Sequence, residues 1–213
     1  MSRPTILLDV DGPLNPWSAR HGLPEGYTEH LMRPRGWETG KPLKVRLRAS
    51  DGFKLQKLDC ELIWATAWEE EANKWIGKEI GLPELPHIDW TDKNHWNIER
   101  LHWKTKRIVQ WMNENRPGIP FIWLDDEVTK RDRLWIADSC AKGSTILLIN
   151  PKTGLEDEYF ERIKAWKNYM VLENLRKTIE TIPDGRKEEI RKDIRTFHDK
   201  HGRPGDEVNS KNP

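Results

Sequence analysis

Four groups of residues, taken in chain order, carry side chains suited to handling a phosphoryl group: Asp9-Val-Asp11-Gly12, then Thr66, then Lys104 or Lys106, then Asp125-Asp126. Carboxylates from two separate stretches could hold a hard, oxygen-seeking ion such as Mg²⁺, which keeps several waters and takes a substrate phosphate as a further ligand. One carboxylate could attack phosphorus and form an aspartyl-phosphate, while a second protonates the leaving oxygen and later deprotonates water. Asp9 and Asp11, two apart on extended chain, project to the same side, so both could reach one phosphate. Thr66 offers a hydroxyl donor and a lysine offers charge for the phosphoryl oxygens. Each feature alone has an ordinary explanation. Asp after a strand favours turns, Thr66 could cap a helix, a helical lysine is usually a surface charge, and Asp125-Asp126-Glu127 suits a helix N-terminus. Their order along the chain is what argues for a site.

The flanking sequence says how these residues could meet. Thr5-Ile-Leu-Leu-Asp-Val is a short apolar run broken by Gly12-Pro13, the pattern of a buried strand. Residues 13–57 turn to Pro, Gly, Arg and His, and Lys44-Val-Arg-Leu-Arg alternates ahead of Ser50-Asp-Gly, a turn signal, so an insertion with a small hairpin is expected. Glu61 to Thr66 reads as a second strand and Ala67 to Gly81 as a helix with Trp68, Ala72, Trp75 and Ile76 on one face. Leu85 to Trp90 suggests a marginal third strand. Leu101, Ile108, Trp111 and Met112 mark another helix, closed by Arg116-Pro-Gly. Pro120 to Asp126 is a strand, Arg131 to Lys142 a helix ended by Gly143, and Ser144 to Asn150 a last buried strand. This alternation predicts an α/β, Rossmann-like parallel sheet with helices on both faces. In such sheets ligands bind beyond the carboxyl ends of the strands, where all four groups fall or lie close by.

Beyond Gly154 the chain turns helical and charged. Leu172, Leu175, Ile179 and Ile182 form one stripe, Pro183-Asp-Gly a break, and Ile190, Ile194 and Phe197 a second stripe, which predicts a helical hairpin. Glu188 and Lys192, four apart, suit a solvated face. Residues 202–213 lack the apolar content to order themselves. The expected organisation is a main domain over 1–168 with 13–57 as a small insertion or cap, a helical extension over 169–201 and a flexible tail over 202–213.

Composition narrows the class. With 213 residues, 36% hydrophobic and 33% charged, one main domain with a modest core is expected. A net charge of +1 gives no overall basic field for nucleic acid or an anionic membrane. Cys60 and Cys140 fit neither a disulfide framework nor a zinc knuckle. No apolar run approaches a membrane span and no signal-peptide core opens the chain, so a cytoplasmic protein is expected. The 12 tryptophans read mainly as packing residues, with base stacking as the functional alternative.

The ordered set Asp-x-Asp, Thr, Lys and a final acidic pair resembles the motifs of the haloacid-dehalogenase-like (HAD) superfamily, over about residues 5 to 150. That resemblance implies Asp9 as nucleophile and metal ligand. Asp11 would be the general acid/base, with its backbone carbonyl also on the metal. Thr66 and the lysine would bind phosphate, and Asp125 or Asp126 would complete a Mg²⁺ site. Trp103-Lys104-Thr105 looks more like the third motif than the surroundings of Lys106. The chain departs from the family at Pro13, after Gly12, where Thr often stands. The presence of Asp11 favours a phosphatase over a dehalogenase. Receiver domains use similar residues in a different order. Trp64-Ala-Thr, Trp103-Lys-Thr, Phe121-Ile-Trp-Leu-Asp-Asp-Glu and Asn150-Pro-Lys-Thr-Gly-Leu look, more narrowly, like a small HAD group of bacterial and phage proteins that includes domains attached to RNA-repair enzymes.

The expected function is hydrolysis of phosphomonoesters, with a phosphorylated small molecule or nucleotide, or a nucleic-acid end, as substrate. A lid made by 13–57 would favour small substrates, whereas an open groove flanked by Arg33, Arg35, Arg46 and Arg48 would admit a polynucleotide. The alternative from another class is a non-catalytic binding module that uses its C-terminal helices. Oligomeric state is not readable from the sequence.

Overall fold

The computed structural model describes residues 3–20, 22–90, 100–181 and 183–201. Strand β1 (Thr5–Leu8) leads into an antiparallel hairpin, β2 (Thr28–Met32) and β3 (Leu43–Leu47), and then α1 (Ala49–Lys57). After β4 (Glu61–Trp64) a π-helical turn, Asn73–Gly77, runs into the short α2 (Lys78–Ile80). The order continues with α3 (Thr105–Asn115), β5 (Phe121–Asp125), α4 (Lys130–Ser139), β6 (Thr145–Leu148), α5 (Asp157–Thr181) and α6 (Asp184–His201).

The four apolar runs pair as one parallel sheet in the spatial order β4-β1-β5-β6, with Leu8 in register with both Trp64 and Leu124. Helices cover both faces, so the expected α/β Rossmann-like architecture is what the chain adopts. Alternate residues of each strand feed two different cores. Ile6, Leu8, Trp64 and Leu124 pack with the hairpin, α1, α2 and the start of α5. Leu7, Ile63, Trp123 and Ile146 pack against Ile108 and Met112 of α3 and Ile136 of α4. Burial on both faces is why the strands read as unbroken apolar runs. Each fully buried Leu or Ile contributes roughly 1.5–3 kcal/mol. From β1 the chain steps to β4, then crosses back over β1 to β5. That reversal opens a crevice at the carboxyl ends of β1 and β5, the place where such sheets bind ligands.

Three expectations need correction. Ser50-Asp51-Gly52 is not a turn but the first part of α1. Gly52 is required there by packing, because a methyl group in its place would collide with the carbonyl oxygen of Ile80. Leu85 to Trp90 forms no strand, only an isolated bridge between Trp64 and His87, as Pro83 and Pro86 deny a ladder its donors. The helix read over Ala67–Gly81 begins as turns over 67–70, and its helical part over 71–80 is interrupted by the π-helical turn.

The chain divides into two compact units, 1–167 and 168–213, with α5 running through the division. The second unit contains the rest of α5 and α6, joined at Pro183 and laced by ion pairs such as Arg176–Glu173 and Arg195–Glu188. Of its expected apolar stripes, the described side chain of Leu172 is exposed. The expected tail over 202–213 lies outside the described residues. Among the described residues no helix is long and apolar enough to cross a membrane.

Candidate active site

Asp9 follows directly on β1, and its backbone N–H still pairs with Leu124 across the sheet, so its position is fixed by strand pairing. Asp125 ends β5 on the neighbouring strand. Between them lies the buried ammonium of Lys104, 2.5 Å from Asp9 Oδ2 and 2.9 Å from Asp125 Oδ2. Lys106, by contrast, lies over the ring of Trp135 at 5.6 Å.

Asp126 joins this cluster because the loop after β1 allows it to come close. Gly12 has φ +89°, and a methyl group there would overlap the Asp126 carboxylate. Glycine meets both demands at once, the left-handed backbone and the contact. The carboxylates of Asp9, Asp125 and Asp126 then offer oxygens all within 4.8 Å of one another. Three hard oxygen donors suit Mg²⁺.

The charge balance also fits a cation. Burial raises the Asp9 carboxyl well above its ordinary range; Lys104 pulls it back, and Asp125 pushes it further up. Burial likewise raises Asp126 to about 6. For Lys104, burial works against the charge, but Asp9 and Asp125 outweigh it and keep the ammonium protonated. Lys104 pairs with Asp9 and Asp125, so the cluster of three carboxylates carries more negative charge than this ammonium offsets. A nucleophilic Asp9 must be ionised, and a second positive charge would secure that state.

Asp11 contributes no carboxylate to this cluster. Its Oδ1 accepts from Asn15 Nδ2 at 2.7 Å and its Oδ2 from Trp68 Nε1 at 3.0 Å. Asn15 is itself oriented from the hairpin, because its Oδ1 accepts the backbone N–H of Arg46 at 3.0 Å. Pro13 lies in the turn between Asp11 and Asn15, where its carbonyl accepts from Leu155 N at 2.9 Å. Thr66, buried two residues beyond β4, accepts from Trp68 N through its hydroxyl at 3.4 Å.

Several residues of the site were not anticipated from the sequence. Asp132 is buried and caps α4 in a reciprocal box with Thr129. Its Oδ1 also accepts from His102 N at 2.7 Å and Thr105 Oγ1 at 2.6 Å, so it holds both sides of Lys104. The Thr129-x-x-Asp132 spacing was the available signal for the cap, although nothing in it pointed to Lys104. Tryptophans form the other unforeseen set. Their indole N–H groups pin site loops: Trp17 to Asp126 at 3.1 Å, Trp68 to Asp11, and Trp90 to the carbonyl of Thr66 at 2.7 Å. Trp64 and Trp123 are fully buried packing residues, as expected of most of the set.

The four arginines that would flank an open groove are engaged within the chain. Arg33 donates to Gly40 O, Arg35 pairs with Glu70, Arg46 donates to Pro16 O and Ala19 O, and Arg48 binds Asp51 and Leu155 O.

A parallel α/β sheet with an acidic cluster and a buried lysine at its switch point is the arrangement that the HAD-like resemblance implies. Over residues 5–160 the chain matches the HAD domain in Swiss Army Knife RNA repair proteins, and it belongs to that family. The match takes in all four groups of site residues and the hairpin. No curated protein and no solved structure shows a significant match to it.

Proposed function

We propose that this chain is a Mg²⁺-dependent phosphohydrolase that cleaves phosphomonoesters through an aspartyl-phosphate, with a nucleotide or a nucleic-acid end as substrate. The observation that carries this reading is the Lys104 ammonium bridging Asp9 and Asp125, with Asp126 in the same carboxylate cluster. Asp9, Asp125 and Asp126 would hold the metal, which when bound neutralises phosphoryl charge and aligns the phosphate.

The chain's own groups supply the rest. An oxygen of Asp9 attacks phosphorus as the bond to the leaving oxygen breaks, and Asp11 gives that oxygen its proton. Asp11 then takes a proton from water, whose oxygen attacks the aspartyl-phosphate and releases phosphate and the Asp9 carboxylate. Lys104 offsets charge on the phosphoryl oxygens. The Thr66 hydroxyl, an acceptor from Trp68 N, keeps its own proton for one of them.

The family description supports a nucleic-acid end or nucleotide, since it refers to RNA repair proteins. The free thiols of Cys60 and Cys140, pushed up to about 11 by burial and so unreactive, suit a reducing compartment such as the cytoplasm.

The test is phosphate release from p-nitrophenyl phosphate, nucleotides and 5′- or 3′-phosphorylated oligonucleotides, with Mg²⁺ or EDTA. Turnover should need Mg²⁺ and fall by at least about 10⁴-fold in Asp9→Asn. No release across the panel, or full activity in the variant, would remove this reading and bring forward a non-catalytic module.

A further inference from the structure

Asp11 and Asn15 also line a pocket of about 410 Å³ that lies between the hairpin and the loop after Thr66. Its volume falls within the roughly 300–1,000 Å³ usual for small-ligand sites. One wall comes from residues 34–45, including Trp37 and Lys44, and the other from Ala67, Trp68 and Glu71. Arg35 joins the walls, with its side chain 2.7 Å from Glu70 and its backbone N–H 3.0 Å from Glu71.

Two properties of this pocket restrict its occupant. Its charges cancel: Arg35 and Lys44 line it together with Asp11 and Glu71, and their side chains pair with Glu70 and Glu29, so it offers no excess positive charge for a chain of phosphates. It is also aromatic, and Trp37 is 52% exposed despite its size, while Trp68 is tied by its indole N–H to Asp11. An exposed indole at a pocket wall presents a flat apolar face on which a base can stack. Neither Asp9, Asp125 nor Lys104 lines the pocket, whereas Asp11 does. A phosphoryl group held by the first three residues would turn its leaving oxygen toward Asp11, and whatever that oxygen carries would extend into the pocket.

We infer that this pocket holds the nucleoside part of the leaving group, with its base stacked on Trp37. The inference rests on the phosphohydrolase reading and goes further by naming what the leaving group is and where it lies. Base–aromatic stacking is tolerant of base identity, so the pocket would read the presence of a base more than its sequence.

The experiment measures binding by calorimetry in the full chain carrying Asp9→Asn, with Mg²⁺ present, using adenosine 5′-monophosphate, adenosine 3′-monophosphate and ribose 5-phosphate. At least one of the two nucleotides should bind about ten-fold more tightly than the sugar phosphate, equivalent to about 1.4 kcal/mol. Adding Trp37→Ala should erase that preference, and adding Trp37→Phe should keep most of it. A 5′-phosphorylated oligonucleotide separates the sources of the base. Affinity equal to the mononucleotide means the terminal nucleotide alone is read, and tighter binding means the strand adds contacts beyond the pocket; both support the inference. Equal binding of nucleotides and sugar phosphate, no binding of any of them, or a preference that survives Trp37→Ala overturns it. Failure of the wild-type chain to release phosphate would instead count against the hydrolase reading, since these affinities need no turnover.

Discussion

Two buried charge clusters in the same unit follow opposite designs. At the strand ends one ammonium, Lys104, serves the carboxylates of Asp9 and Asp125 with Asp126 beside them. Under the hairpin, Arg48 Nε meets a single carboxylate, Asp51 Oδ1, at 2.8 Å. The same guanidinium lies 4.9 Å from the centre of the Tyr27 ring and donates to Leu155 O. There the charges cancel one for one, and the partners come from the hairpin, α1 and the segment before α5. A balanced, closed pair of this kind ties elements together. An unbalanced acidic cluster at a sheet's switch point ties no elements together in this way, and under the proposed function a cation and a phosphate would complete it.

Removing the cation from each cluster tests that contrast most strongly. Lys104→Met should lower kcat/KM by about 10²–10³-fold, the usual cost of one preorganised donor to developing charge. Arg48→Met should leave activity near wild type at low temperature but cost about 3–5 kcal/mol of stability, because Asp51 is left buried without its partner. Steady-state kinetics and urea unfolding on both variants decide it. If both lose mainly stability, the strand-end cluster is structural too.

The pH dependence of stability sharpens the same comparison. Burial raises Asp51 to about 6, against the pull of Arg48. The folded chain therefore keeps a proton that the unfolded chain loses near pH 4, and stability falls as pH rises from about 4 to about 6. Asp126, also raised to about 6, and Asp9 act in the same direction. Urea titrations of the metal-free protein should show this decline, and Asp51→Asn should make it shallower without flattening it. An unchanged slope would mean that Asp51 titrates as an ordinary exposed carboxylate.

The two clusters also differ in how far the sequence revealed them. Asp9, Thr66 and Asp125 stand out because each ends a run buried on both faces, and such runs are visible as unbroken apolar stretches. Lys104 is preferred to Lys106 only through the resemblance of Trp103-Lys104-Thr105 to a family motif; the contacts that hold its loop come from Asp132, which reaches His102 and Thr105 from a different helix. The Arg48 cluster was misread for a related reason. Ser50-Asp51-Gly52 carries the chemistry of a turn, yet the glycine is there to let α1 approach Ile80 closely, a demand that arises only in three dimensions. Tryptophan composition signalled bulk, but the hydrogen bonds of Trp17, Trp68 and Trp90 to site loops depend on directions that no spacing encodes.

The smallest expected effect concerns the residue that connects the hairpin to the strand ends. Asn15 receives a backbone N–H of β3 on its oxygen and gives its amide to Asp11, so its orientation is fixed at both ends. It touches no reacting atom in the proposed chemistry and acts by positioning the acid/base. Asn15→Ala should lower kcat about ten-fold, as expected for the loss of one hydrogen bond to a charged group, with little change in KM. Asn15→Asp should be more damaging than alanine, because it removes the donor and sets a second negative charge against Asp11. A packing role would predict the reverse order, since aspartate preserves the shape of asparagine and alanine does not. Comparing the two variants thus separates an electrostatic link between hairpin and acid/base from simple filling of space.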